Sequence, residues 1–127
     1  MVLADTSVWV QHFRHGLPTL EDRLGEGLIL VHPFVSGELA CGNLKNRRSI
    51  LSDLQALPSA KPASDEEVLQ LIEDRRLWGR GLGWVDVHLL ASALLSHCGL
   101  WTLDKKLGEA AKEVGVSAGP AVQGADE

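Results

Sequence analysis

Apolar residues along this chain fall into two kinds of block, and the two kinds alternate. Val2-Leu3-Ala4, Leu28-Ile29-Leu30-Val31 and Leu100-Trp101-Thr102-Leu103 are runs too short for a helix. Such runs predict strands of a mostly parallel sheet buried on both faces. The blocks between them carry helical signals. Asp5-Thr6-Ser7 supplies N-cap chemistry for a short helix over Val8–Phe13, which Gly16 stops. Pro18 opens a helix to about Gly25, and Pro33 opens one that carries Phe34, Val35, Glu38 and Leu39. Ile50, Leu51, Leu54 and Leu57 recur at helical spacing between Asn46 and Leu57. Ser64 and Glu67 have the capping-box spacing ahead of a helix from Val68 to about Trp78. After the glycine-rich loop 79–83, Asp86–Cys98 reads as a strongly apolar helix, and Asp104 caps a last helix to about Val114. Val116-Ser117-Ala118 predicts an edge strand. Strands alternating with helices predict a three-layer α/β/α sandwich on a central, mostly parallel sheet. One domain is expected over 1–119, with 120–127 as a frayed tail.

Composition adds that this is one folded unit. The 127 residues are 45% hydrophobic, with mean hydropathy near zero, and a chain of this size buries roughly two-thirds of its unfolded surface. No apolar run approaches the ~20 residues of a membrane helix. The N-terminus lacks a basic start and meets Asp5 at once, so no signal peptide is expected. Two cysteines, Cys41 and Cys98, make neither a disulfide framework nor a zinc site. A cytoplasmic protein with both thiols reduced and buried is expected.

Charge complicates the picture. Twelve Lys and Arg against 17 Asp and Glu leave a formal −5, the wrong sign for a protein that holds nucleic acid by bulk charge. Either the partner is not a nucleic acid, or some of the acids hold metal.

Four acids bear on that choice. Asp5, Asp86 and Asp104 lie at predicted helix starts, where aspartate is a favoured cap; Val85 and Leu90 would staple the start at Asp86. Glu38 differs. It shares a predicted helix face with Phe34 and Val35 that should point at the core, with no Lys or Arg one turn away. Asp5 and Asp104 both follow predicted strands, and ligands of open parallel sheets bind beyond the strands' carboxyl ends. Should the strands ahead of Asp5 and Asp104 be neighbours, all four acids can converge. Several carboxylates in one pocket repel, and a hard divalent cation such as magnesium resolves that repulsion.

The order Asp-Thr-Ser at 5–7, Gly-Glu-Leu at 37–39, Gly-Trp-Val-Asp-Val-His-Leu-Leu-Ala-Ser at 83–92 and Leu-Trp-Thr-Leu-Asp-Lys-Lys-Leu at 100–107 resembles the PIN-domain family. More narrowly it is similar to the VapC toxins of toxin–antitoxin pairs. The resemblance covers residues 1 to about 118 and implies metal-site, catalytic acids at Asp5, Glu38, Asp86 and Asp104, with hydroxyl support from Thr6, Ser7 and Thr102. It implies a Mg²⁺-dependent endoribonuclease, Mn²⁺ being a possible substitute, that cuts a structured RNA such as a tRNA or rRNA loop by attack of activated water, leaving 5′-phosphate and 3′-hydroxyl ends. It further implies a homodimer and a VapB-type antitoxin.

The remaining chemistry is weaker. Lys45, Arg47 and Arg48 form one basic knot and Arg75, Arg76 and Arg80 another; each reads first as a solvated face. Arg80, just ahead of Asp86, is the better candidate for RNA contact. Lys105 beside Asp104 is a further one. His88 reads as a partly buried helix residue or an aid to substrate orientation. Trp9 and Trp101 read as core, while Trp84 in the loop is the tryptophan placed to stack on a base. Val8, Leu20 and Leu24 are expected to be exposed, as a face for a second copy or an antitoxin. Three other readings compete. A metal-free histidine ribonuclease lacks motif context for its histidines. A phospho-acceptor receiver domain needs an acidic pair where Asp5 stands alone. A non-catalytic PIN-like binding module has no need of the complete acid set.

Overall fold

A computed structural model describes residues 1–118; the end of the domain at 119 and the tail 120–127 lie outside the described residues. Among the described residues three parallel strands form the sheet: β1 (Val2–Ala4), β2 (Ile29–Leu30) and β3 (Gly99–Trp101), in the order β2-β1-β3. Seven helices of the described residues surround it: α1 (Thr6–His15), α2 (Pro18–Gly25), α3 (Pro33–Cys41), α4 (Arg47–Ala56), α5 (Asp65–Arg75), α6 (Trp84–Ser96) and α7 (Lys105–Val114). This is the α/β architecture that the alternating blocks predict. Among the described residues no helix is long and apolar enough to cross a membrane.

The central strand explains where the site lies. β1 pairs with β2 on one side, Leu3 opposite Leu30, and with β3 on the other, Ala4 opposite Trp101. The chain therefore leaves β1 in one direction and returns to it from the other, and the crevice at such a switch opens beyond the carboxyl end of the central strand. Asp5 is the next residue. The adjacency of β1 and β3 required for the acids to converge is met.

All three strands are buried or nearly so, and α6 is enclosed almost as completely, with Val87 through Ala93 buried. That enclosure is why α6 is apolar on every side. Trp9 and Trp101 are core residues, 3% and 0% exposed. Ser64 accepts from the Glu67 N–H at 3.1 Å while Glu67 accepts from the Ser64 N–H at 2.8 Å, the predicted capping box.

Several expectations are corrected. Val116–Ala118 makes an isolated bridge with Leu100 rather than a strand. It packs so closely that a Cβ on Gly99 would lie 2.0 Å from that of Ala118, which reserves this position for glycine. The third strand ends at Trp101 rather than Leu103. Val8 and Leu20 are fully buried and Leu24 is half-buried, so they present no free face; α1 and α2 turn these side chains inward to fill the core. Cys98 is buried as expected, but Cys41 at the end of α3 is exposed.

Candidate active site

Asp5 lies at the end of β1 and is 5% exposed. Its backbone N–H continues the sheet ladder to the Trp101 carbonyl at 3.0 Å, and its side chain caps α1 by accepting from the Val8 N–H at 3.2 Å. The cap reading is therefore correct, and it is incomplete. Ser7 donates to Asp5 Oδ1 at 2.5 Å, and Thr102 donates to Oδ2. Burial pushes the Asp5 carboxyl above the usual aspartate range, against those hydroxyl and backbone donors. A capping residue needs one acceptor oxygen; here both are engaged.

The same hydroxyls reach the neighbouring loop. Ser7 Oγ accepts the Leu103 N–H at 2.9 Å, and Thr102 Oγ1 accepts the Asp104 N–H at 3.0 Å. Asp104 is exposed and caps α7, accepting from the Leu107 N–H at 3.0 Å. Ser7 and Thr102 thus each join Asp5 to the loop that follows β3. Thr6 Oγ1 donates to Glu38 Oε1 at 2.5 Å, which ties α1 to α3.

Glu38 and Phe34 require a correction. On α3, Val35 and Leu39 face the core, whereas Glu38 is exposed and Phe34 is 39% exposed. Residues 34 and 38 form one helical stripe and 35 and 39 another, one position round. The second stripe packs inward, so Glu38 needs no buried counter-charge and takes a hydroxyl.

Asp86 also sits differently from its expected place. The helix starts at Trp84 with Gly83 as N-cap, so Asp86 occupies the third helical position and its Oδ2 accepts the Gly83 N–H at 2.8 Å. The Asp86 carboxyl is raised first by partial burial, then by the charges of Asp104 and Glu38. That repulsion places Asp104 and Glu38 each within electrostatic reach of Asp86, and Thr102 joins the Asp5 carboxylate to the Asp104 backbone.

Among the described residues, no three His, Cys, Asp or Glu side chains are drawn close enough to hold an ion by themselves. Magnesium needs less than that, since it keeps several waters and is commonly bound through one or two carboxylates. Hard oxygen donors, mutual repulsion at Asp86 and a buried Asp5 carboxylate held in place by hydroxyls fit such a cation in type and charge.

The other candidates are distributed around this cluster. Arg80 makes a two-pronged ion pair with Glu113 at 2.8 and 2.6 Å, so its guanidinium is already occupied. The loop is held close to α7, where a Cβ on Gly81 would lie 2.6 Å from Lys106 Nζ; its φ of +78° also favours glycine. Lys105 is exposed. His88 is 2% exposed, with Nε2 3.2 Å from Asp65 Oδ1. Trp84 is 43% exposed. A cavity of about 160 Å³ beside Thr6 and Glu38 is lined also by Arg14 and Asn43, and these two residues line a larger space of about 600 Å³ that reaches Lys45. Sequence reasoning passed over Arg14; its signal lies only in this tertiary placement.

Known proteins resemble this chain in sequence and in fold. The chain matches the PIN domain family over residues 2–113. It is 46% identical over 118 residues to Ribonuclease VapC32 of Mycobacterium tuberculosis, in strains CDC 1551 / Oshkosh and ATCC 25618 / H37Rv, covering 92% of this chain and 95% of that protein. Its fold resembles the crystal structure of PAE2754 from Pyrobaculum aerophilum, with a TM-score of 0.58 at 17% identity, over 85% of this chain and 77% of the other.

Proposed function

The chain belongs to the PIN-domain family, on its VapC-type ribonuclease branch, and from that premise we infer that it is a Mg²⁺-dependent endoribonuclease, the toxin of a VapBC-type pair. Its substrate on this reading is a structured RNA cut within a tRNA or rRNA loop, where unpaired bases are accessible.

The observation that carries the reading is the treatment of Asp5. A carboxylate buried at a strand end is costly, and this one is held with both oxygens engaged by hydroxyls from two other positions of the chain. Such fixing of a charged group suits a ligand whose orientation matters. Asp5 is the fixed member of the site, Asp86 and Glu38 are the side chains with room to adjust, and Asp104 closes the cluster from α7. Ser7 and Thr102 orient Asp5, and Thr6 orients Glu38. When bound, magnesium supplies a water activated for attack and neutralises charge at the phosphate; manganese, with similar oxygen preference, is the expected substitute. Attack of water on phosphorus with cleavage of the P–O3′ bond, the 3′ oxygen leaving and taking up a proton, would leave 5′-phosphate and 3′-hydroxyl ends. A VapB-type antitoxin and a second copy of the chain are the partners this reading implies.

The test is cleavage of end-labelled total tRNA and rRNA by purified protein, with Mg²⁺ or Mn²⁺ against EDTA and with the Asp5→Asn variant alongside. Metal-dependent cuts at discrete loops with 5′-phosphate ends, lost in the variant, are expected. Metal-independent cuts ending in cyclic phosphate would overturn the reading. Metal binding without any cleavage would favour a non-catalytic PIN-like module.

A further inference from the structure

Two large, partly exposed aromatic rings lie at the starts of the two helices that carry Glu38 and Asp86. Phe34 is in the first turn of α3, four residues before Glu38, and Trp84 is the first residue of α6, two before Asp86. They are 39% and 43% exposed. Neither is loose. Both pack against the buried ring of His88, Phe34 at 4.8 Å between centroids and Trp84 at 4.7 Å, each edge to face. His88 is in turn fixed by Asp65 at 3.2 Å and flanked by His32, which lies 5.1 Å from Phe34 and accepts its backbone N–H at 2.9 Å. A buried imidazole pair thus holds two exposed rings at helix starts.

Two exposed rings packed on one shared imidazole form a contiguous apolar surface, which is a feature of binding sites rather than of scattered surface residues. Three features narrow the occupant. Phe34 shares a stripe of α3 with Glu38, one turn on, so whatever covers the rings lies on the Glu38 side of the acids. Their setting is acidic, with Glu38 one turn along α3 from Phe34 and Asp65 bonded to His88, which disfavours direct contact with a phosphate. Aromatic rings at fixed angles accept the flat face of a nucleobase regardless of its identity.

We propose that Phe34 and Trp84, held by His88, form a stacking platform that receives an unpaired RNA base flanking the scissile phosphate. This rests on the ribonuclease reading above and adds to it how the strand is held. A base stacked here is held without any contact between its phosphates and the acids, so the stacking itself needs no cation. Such a platform suits a chain of formal charge −5, because stacking does not depend on net charge.

Binding is measured in EDTA, so that cleavage plays no part, using a fluorescently labelled single-stranded oligoadenylate and a backbone of equal length carrying abasic residues. Wild-type protein is expected to bind oligoadenylate the more tightly and to lose Trp fluorescence on binding. Phe34→Ala and Trp84→Ala are each expected to lose about tenfold in affinity for oligoadenylate and almost nothing for the abasic backbone, and Trp84→Phe to recover most of the loss. Thermal melting identifies variants that are folded, and the conservative Trp84→Phe keeps the test usable should an alanine variant unfold. Equal loss on both backbones, or no loss on either, would overturn the platform. So would a change in oligomeric state with unchanged RNA affinity, which would assign the face to a second copy. Metal-dependent cleavage of total tRNA by the wild type is scored separately; its absence alongside intact stacking would overturn the nuclease reading and leave the platform standing.

Discussion

Two rims meet at the acid cluster, and they are built differently. The strand-end rim comprises Asp5, Ser7, Thr102 and Asp104. Its central carboxylate is buried, both oxygens are taken, and the hydroxyls that take them also bind the backbone of the following loop. The helix rim comprises Phe34, Glu38, Trp84 and Asp86. Each of its acids accepts one hydrogen bond, and its two aromatic rings are exposed. The first rim buries its carboxylate and fixes both oxygens, whereas the second fixes its rings on His88 and leaves its acids with one hydrogen bond each. A phosphoryl-transfer site has use for both, since a metal position must be fixed while an incoming strand must be accommodated.

The sharpest way to break this comparison is at the fixed centre. Asp5→Asn is expected to reduce RNA cleavage by about a thousandfold, corresponding to several kcal/mol of lost charge stabilisation at the phosphate, as measured by single-turnover rates on total tRNA. Chelation of the metal should give a similar loss. A variant that retained its rate would remove the strand-end rim from the chemistry.

The next effect tests the support beneath the helix rim. Burial, with His88 nearby, holds His32 down to about 4. The folded protein keeps it neutral while the unfolded chain protonates it from about 6.5 downward. In that window the unfolded state binds more protons, so stability is complete above about pH 6.5 and falls as pH drops towards 4, by on the order of 3 kcal/mol from this group. Urea unfolding of the wild type and of His32→Asn, which retains a helix cap, should show a flatter acid limb in the variant. Equal slopes would mean that His32 is not held neutral in the folded state.

Thr102→Val comes third. It removes a donor from the buried Asp5 carboxylate and should cost about 1.5–3 kcal/mol of stability, the usual worth of a hydrogen bond to a charged group, together with part of the activity. Thr6→Val, at the exposed Glu38, should cost much less stability. Similar costs for the two would erase the distinction between the rims.

Asp86→Asn gives the smallest shift in stability, and of opposite sign. The folded pKa of Asp86 is raised, so its contribution to stability is largest at low pH and lost as pH rises through the folded value. At neutral pH, without metal, asparagine should raise the melting midpoint slightly. Magnesium should raise the midpoint of the wild type more than that of the variant, because only the native carboxylate gains from the cation. Equal responses would exclude Asp86 from metal binding.

Much of this molecule is legible in one sequence, for physical reasons. Buried parallel strands must be short apolar runs, and an aspartate after a strand reads as a cap from local chemistry alone, so β1, β2, β3, the capping box at Ser64 and the helical caps at Asp5 and Asp104 follow from neighbours a few residues apart. The order of the four acid motifs likewise sufficed to identify the family. What local pattern could not decide was facing and closure. Glu38 and Phe34 share a helix with Val35 and Leu39, and one helical stripe looks as apolar as the next until the sheet selects which turns inward. Val8 and Leu20 read as free surface until α1 and α2 close over the core. The engagement of both Asp5 oxygens joins residues 97 apart in sequence, and the two rings on His88 come from helices separated by the whole of α4 and α5. Contacts of that span depend on how the layers pack, so only the tertiary structure decided which acid is fixed, which are free, and what stands beside them.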